Sequence, residues 1–174
     1  MASMKPQKLG VSNHYVHQLC KRLTGTYFMG AMSCDALKNK VKESLTRIKN
    51  NIPYGIIINL SESIDPGTHF VALTSKDKHL VLFDSLDLTF EDPNITRYIA
   101  SIQEKIPNFK FSRLNTKIQS SKSLMCAFYV IGYIISQSKG NESPKKFLKH
   151  FKEELLLNDK IIVLYILDYI NKMH

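Results

Sequence analysis

Cysteine is scarce in this chain and poorly placed for cross-linking. Cys20, Cys34 and Cys126 are odd in number and show no CxxC or metal-finger spacing, which argues against a disulfide framework or structural zinc and for a reducing compartment. Long apolar runs are missing too. The longest, Leu124 to Ile135, is broken by Gly132 and is too short for a hydrocarbon layer about 30 Å thick. Residues 1–10 are polar and basic, without the apolar segment of a secretory leader, so the expectation is a soluble protein that is neither secreted nor membrane-bound. Seven glycines and six prolines are scattered, which excludes low-complexity linkers, and no internal repeat is visible. Acidic side chains are outnumbered, 15 against 24 basic, for a net charge of +9. That balance attracts polyanions such as nucleic acid. The lysine clusters Lys38-Lys40-Lys42 and Lys145-Lys146-Lys149-Lys152 are equally what an ordinary solvated helix face carries.

What is present is enough for one core. At 174 residues and 44% hydrophobic, the chain reads as a single domain, 1–174. Ser12 caps a helix reaching about Leu23, and Gly25 ends it. Thr26 to Met29 reads as a short extended piece. Ser33 or Asp35 opens a second helix with Leu37, Val41, Leu45 and Ile48 on one face, stopped by Asn50-Asn51-Ile52-Pro53. The period then changes. Gly55 to Leu60 is a β-branched run typical of a buried strand, followed by a polar loop from Ser61 to Gly67. His69 to Leu73 and His79 to Asp84 are strands joined by the four-residue loop Ser75 to Lys78. A helix around Asn94 to Lys105 precedes a strand at Phe109 to Arg113. Leu124 to Ser136 is apolar nearly all round, as in a helix at the centre of a domain, and two more helices, Pro144 to Leu157 and Asp159 to Lys172, follow. The order implies an α+β domain with a small, mainly antiparallel sheet packed on a central buried helix.

Four residues stand in an order that carries chemistry: His69, Asp84, Gln119 and Cys126. With the four-residue loop, His69 lies directly opposite Asp84 on one face of the hairpin, so a carboxylate can fix the imidazole tautomer and leave its other nitrogen to deprotonate a thiol. Asp87 is the reserve carboxylate. Cys126 sits at the start of the buried helix, with Ser121 or Ser123 to cap it, where the helix N-terminus favours a thiolate. Gln119 can add an N–H to an oxyanion site. Singly, each has a plainer explanation: a core thiol, a structural histidine, a turn-capping aspartate, an uninformative glutamine. His14 and His17 stand three apart on a helix, but a third metal ligand is not evident. Cys20 and Cys34 read as core thiols.

The combination resembles the adenovirus-type cysteine proteases, the adenain group with its relatives in virus-like transposons and other DNA viruses, and more distantly the proteases that remove SUMO-like modifiers. The likeness spans most of residues 26–136. Tyr27-Phe28-Met29-Gly30 with Asp35 and Leu37 is similar to the aromatic-Gly segment. Asn59 with Pro66-Gly67-Thr68-His69-Phe70 is similar to the segment around the family's histidine, Leu82-Phe83-Asp84-Ser85 to its acidic strand end, and Gln119 through Cys126 to its Gln-x6-Cys segment. Phe70 stands where the family commonly has Trp and Ala127 where it has Gly, and residues 105–118 contain no cysteine for the disulfide to a peptide activator.

The resemblance implies a papain-like, adenain-like fold and a virus-encoded thiol endopeptidase. It would use His69, Asp84 and Cys126 as triad and Gln119 in the oxyanion hole, and would mature capsid or core precursor proteins beside small, Gly-type residues. It further implies chemistry that requires no cofactor, with DNA as an activator, in a monomer at work in the virion and the host cell interior, nucleus or cytoplasm. The alternatives are a deubiquitinase- or deSUMOylase-type protease and a non-catalytic basic module that binds a virion protein or DNA.

Overall fold

The computed structural model describes residues 11–61, 69–88, 92–140 and 142–173. The polar opening of the chain and most of the loop containing Pro66, Gly67 and Thr68 lie outside the described residues.

Helix α1 (Asn13–Thr24) begins where Ser12 Oγ accepts the Tyr15 N–H at 3.2 Å and ends at Gly25, whose φ of 57° suits glycine. Its Val16, Cys20 and Leu23 recur at helical spacing and are buried. Strand β1 (Phe28–Ser33) follows. The single helix expected next is divided: a 3-10 segment, Cys34–Lys40, leads into α2 (Val41–Lys49).

The sheet is completed by β2 (Tyr54–Asn59), β3 (Phe70–Lys76), β4 (His79–Phe83) and, after α3 (Pro93–Gln103), β5 (Lys110–Leu114). Spatial order follows chain order. The central pairings β2–β3 and β3–β4 are antiparallel, while the outer ones, β1–β2 and β4–β5, are parallel. The sheet is therefore mixed rather than mainly antiparallel, because a helical crossover precedes each outer pairing and returns the chain in the same direction.

The β3–β4 turn also differs from expectation. Lys76 pairs with His79, leaving a two-residue turn at Asp77 and Lys78, with φ of 51° and 60°. Such a turn matches strand twist better than a four-residue loop. Ala72 then faces Phe83, and His69 is displaced two residues from Asp84 instead of lying directly opposite. A shift of two preserves the face, because side-chain direction repeats every second residue.

Both faces of the sheet are covered. Ile57, Ala72 and Phe83 pack against α4 (Cys126–Ser138), α1 and the C-terminal helices, while Ile56, Ile58, Leu73 and Leu82 pack against α2 and α3. All of β2 is buried, as a two-sided strand requires. In α4, Val130, Ile131, Tyr133, Ile134 and Ile135 are fully inaccessible. Burying each contributes about 1.5–3 kcal/mol, which fixes where the helix, and hence its first residue, sits. A Cβ at Gly132 would collide with Ile162 of α6 (Leu155–Asn171), so glycine there permits the close crossing of α4 and α6.

The helix expected over Pro144 to Leu157 stops early, as α5 (Pro144–Leu148), and α6 starts before Asp159. Buried Asn158 explains the break: its Oδ1 accepts the Lys152 N–H at 2.8 Å, and its Nδ2 donates to the carbonyls of Lys152 and Ile118 at 2.9 and 2.8 Å. These bonds serve the Lys152 N–H and carbonyl where the helix is interrupted.

Candidate active site

At the open end of the β3–β4 hairpin, His69 immediately precedes β3 and Asp84 immediately follows β4. The Leu60 N–H donates to the His69 carbonyl at 2.9 Å, anchoring that residue to β2. His69 Nε2 lies 2.7 Å from Asp84 Oδ1, and both side chains are buried. Asp84 also accepts the N–H groups of Leu86 at 2.9 Å and Leu88 at 3.0 Å. Burial opposes its ionisation, yet the hydrogen bond and charge of His69 and these two N–H donors hold its pKa below the ordinary value. An ionised carboxylate only accepts, so Nε2 carries the proton. Asp87 is exposed, with φ of 51°, and its N–H donates to the Asp84 carbonyl. It closes the turn and does not meet the imidazole.

Cys126 is the first residue of α4 and is half-buried. Its titration is coupled to His69 and to the backbone N–H groups of Phe70 and Ala127. With Nε2 engaged by Asp84, Nδ1 is the ring nitrogen left for the sulfur. Burial alone would raise the thiol pKa. The hydrogen bond to His69, the two N–H donors and the charge on His69 outweigh it, and the net shift is downward. Burial likewise disfavours imidazolium, but Asp84 and Cys126 together raise the His69 pKa to about 9. A thiolate beside an imidazolium is the arrangement these opposite shifts describe.

The helix start is not capped as expected. The residue before α4 is Met125, with no side-chain cap; Ser123 Oγ instead accepts the Met125 N–H at 3.1 Å, and Ser121 is exposed. The first turn of α4 thereby carries no side-chain cap, and its N-terminal dipole favours an anion there. Ala127 is buried within α4 and is not among the positive-φ residues, so the backbone here does not demand the family's glycine.

Gln119 is buried on the loop before α4. Its N–H and that of Ile118 donate to the Ser85 carbonyl at 2.9 and 3.0 Å. The side-chain Nε2 donates to the Ser123 carbonyl at 3.0 Å, and Oε1 accepts from Ser85 Oγ at 2.6 Å. Ser123 Oγ in turn donates to Asp159 Oδ1 at 2.8 Å, which also accepts from Tyr129 Oη at 2.9 Å. Sequence reasoning assigned no role to Ser85, although it adjoins Asp84 in a stretch already singled out. Asp159 carried no local signal, because its partners lie 36 and 30 residues away.

The remaining candidates lie apart from this cluster. Cys20 is fully buried on α1 and pushed up to about 12 by burial; Cys34 is raised by burial and then by Asp92. His17 Nδ1 accepts the Ala31 N–H at 3.4 Å, and its ring packs on Phe28. Among the described residues, no three His, Cys, Asp or Glu side chains are grouped to hold a metal ion, and no helix is long and apolar enough to cross a membrane.

No protein-family model matches the chain, and no curated protein matches it in sequence. Solved structures match its fold. The pS273R protease of ASFV superposes with a TM-score of 0.63 at 13% identity, over 88% of this chain and 66% of that one. AvrA, solved with IP6 and CoA, gives 0.55 at 18% identity over 78% and 53%. The SUMO protease Ulp1, solved with its catalytic cysteine oxidised to a sulfinic acid, gives 0.51 at 15% identity over 94% and 80%. The chain thus spans about half the length of AvrA and just under two thirds of pS273R. Its fold is the papain-like α+β fold of the Ulp1 and adenain type.

Proposed function

We propose that the protein is a cysteine endopeptidase with Cys126 as nucleophile, His69 as proton carrier, Asp84 as its orienting carboxylate, and Gln119 with the Cys126 N–H as oxyanion site. The observation that carries this reading is the buried His69–Asp84 pair at 2.7 Å, whose imidazole titrates together with the thiol at the first residue of α4. The fold likeness to pS273R and Ulp1 supports it.

In this mechanism the Cys126 proton passes to His69 Nδ1, and the thiolate attacks the peptide carbonyl carbon. The oxyanion forms at the uncapped end of α4, beside the Gln119 amide. His69 returns its proton to the departing amine nitrogen, then takes one from the water that cleaves the thioester. Viral structural precursors cut beside small, Gly-type residues are the substrates we favour, and the net charge of +9 suits nucleic acid as an activator. The likeness to Ulp1 over 94% of this chain favours a second reading, the release of modifiers ending in Gly-Gly.

The test is a peptide-library cleavage profile with and without DNA, run beside a Gly-Gly-terminated modifier fusion. Cleavage by the wild type and none by Cys126→Ala is the expected result. Equal cleavage by both would end the proposal, and turnover of the fusion alone would select the second reading.

A further inference from the structure

Ser85 holds the Gln119 amide from two sides. Its carbonyl takes the backbone N–H of Gln119 at 2.9 Å and of Ile118 at 3.0 Å, and its hydroxyl meets the side-chain Oε1 at 2.6 Å. Both residues are buried, Ser85 completely, so water does not compete for these bonds.

The orientation of the glutamine follows from donor and acceptor rules. The Ser123 carbonyl 3.0 Å away accepts only, so the side-chain atom facing it must be Nε2. The atom facing Ser85 is therefore Oε1, and the serine hydroxyl must be the donor. A half-turn of the amide would set its oxygen against the Ser123 carbonyl, two acceptors facing each other. One N–H of Nε2 is committed to the Ser123 carbonyl.

We propose that Ser85 is a positioning residue for oxyanion stabilisation. Its hydroxyl locks the Gln119 amide with the N–H side toward the reacting carbonyl, and its peptide bond ties that amide to Asp84. This rests on the endopeptidase reading above. The one dipeptide, Asp84-Ser85, thereby sets the tautomer of the base and the polarity of the oxyanion site together.

The test is a double-mutant cycle in kcat/KM with Ser85→Ala, Gln119→Ala and the pair, on the peptide found for the wild type. Ser85→Ala should lower kcat roughly tenfold with little change in KM, and should cost nothing further in the Gln119→Ala background. Ser85→Thr, which keeps the hydroxyl, should recover most of the loss. Iodoacetamide alkylation of Cys126 should be unchanged in Ser85→Ala, because that displacement forms no oxyanion, while a peptide aldehyde should bind more weakly. Additive losses, or a parallel fall in alkylation rate, would overturn the proposal, as would wild-type activity in Ser85→Ala. A wild type that hydrolyses nothing would instead overturn the endopeptidase reading, and this inference with it.

Discussion

The two ends of the β3–β4 hairpin differ in what they offer. The turn end borders a concavity of about 820 Å³, lined in part by Lys76, Lys78, His79 and Lys110. The open end gathers His69, Asp84 and Cys126, whose pKa values are displaced in opposite senses by one another. Size is the usual first guide to a site. Here the coupled titrating groups are the stronger guide, because burial of such groups costs free energy that structure alone does not require.

The comparison breaks most sharply at the sulfur. Cys126→Ala should reduce peptide hydrolysis by about 10⁴-fold or more, measured on the cleaved peptide, while leaving the turn end untouched. His69→Ala should cost about 10³-fold and also erase the selectivity of thiol labelling. In the wild type, iodoacetamide should label Cys126 well before Cys20, whose thiol is pushed up to about 12, and before Cys34. Equal, slow labelling of all three would remove the distinction between the two ends.

Asp84→Asn should lower the rate by about 10–100-fold, less than either, since packing still orients the ring. The pH profile of kcat/KM should rise as Cys126 ionises below its ordinary value and fall above about pH 9, where His69 loses the proton meant for the leaving amine. Stability follows the same groups. His69 has a raised folded pKa, so its contribution is full below its ordinary 6.5 and fades as pH climbs through about 9. That of Asp84, with a lowered pKa, is present above 3.8 and fades as pH falls through its depressed value. Guanidinium melts across pH would measure both. The smallest effect belongs to the turn: Lys78→Gly, at φ of 60°, should stabilise by about 0.5–1 kcal/mol and leave kcat/KM unchanged.

Much of this was legible in the sequence because local rules and global packing agree. Ser12 capping α1, the buried run of β2, and Cys126 opening an apolar helix each follow from period and cap chemistry. The turn at Asp77-Lys78 was misjudged because neither residue is glycine, the usual mark of a positive-φ turn. The parallel outer pairings and the second core around Tyr98 and Ile102 depend on long-range packing that no local window holds. The alignment of His69 with Asp84 survived the wrong loop only because the error was an even number of residues.

Ser123 has a wider consequence. It bonds Gln119 through its carbonyl and Asp159 through its hydroxyl, while Asn158 holds the Ile118 carbonyl. The loop that leads into Cys126 is thus moored to the last helix, not only to the sheet. Trimming the chain back to the stretch 26–136 that carries the family likeness would keep the hairpin and the sulfur, yet cut away both moorings. A shortened chain that keeps both bonds must reach past Asp159.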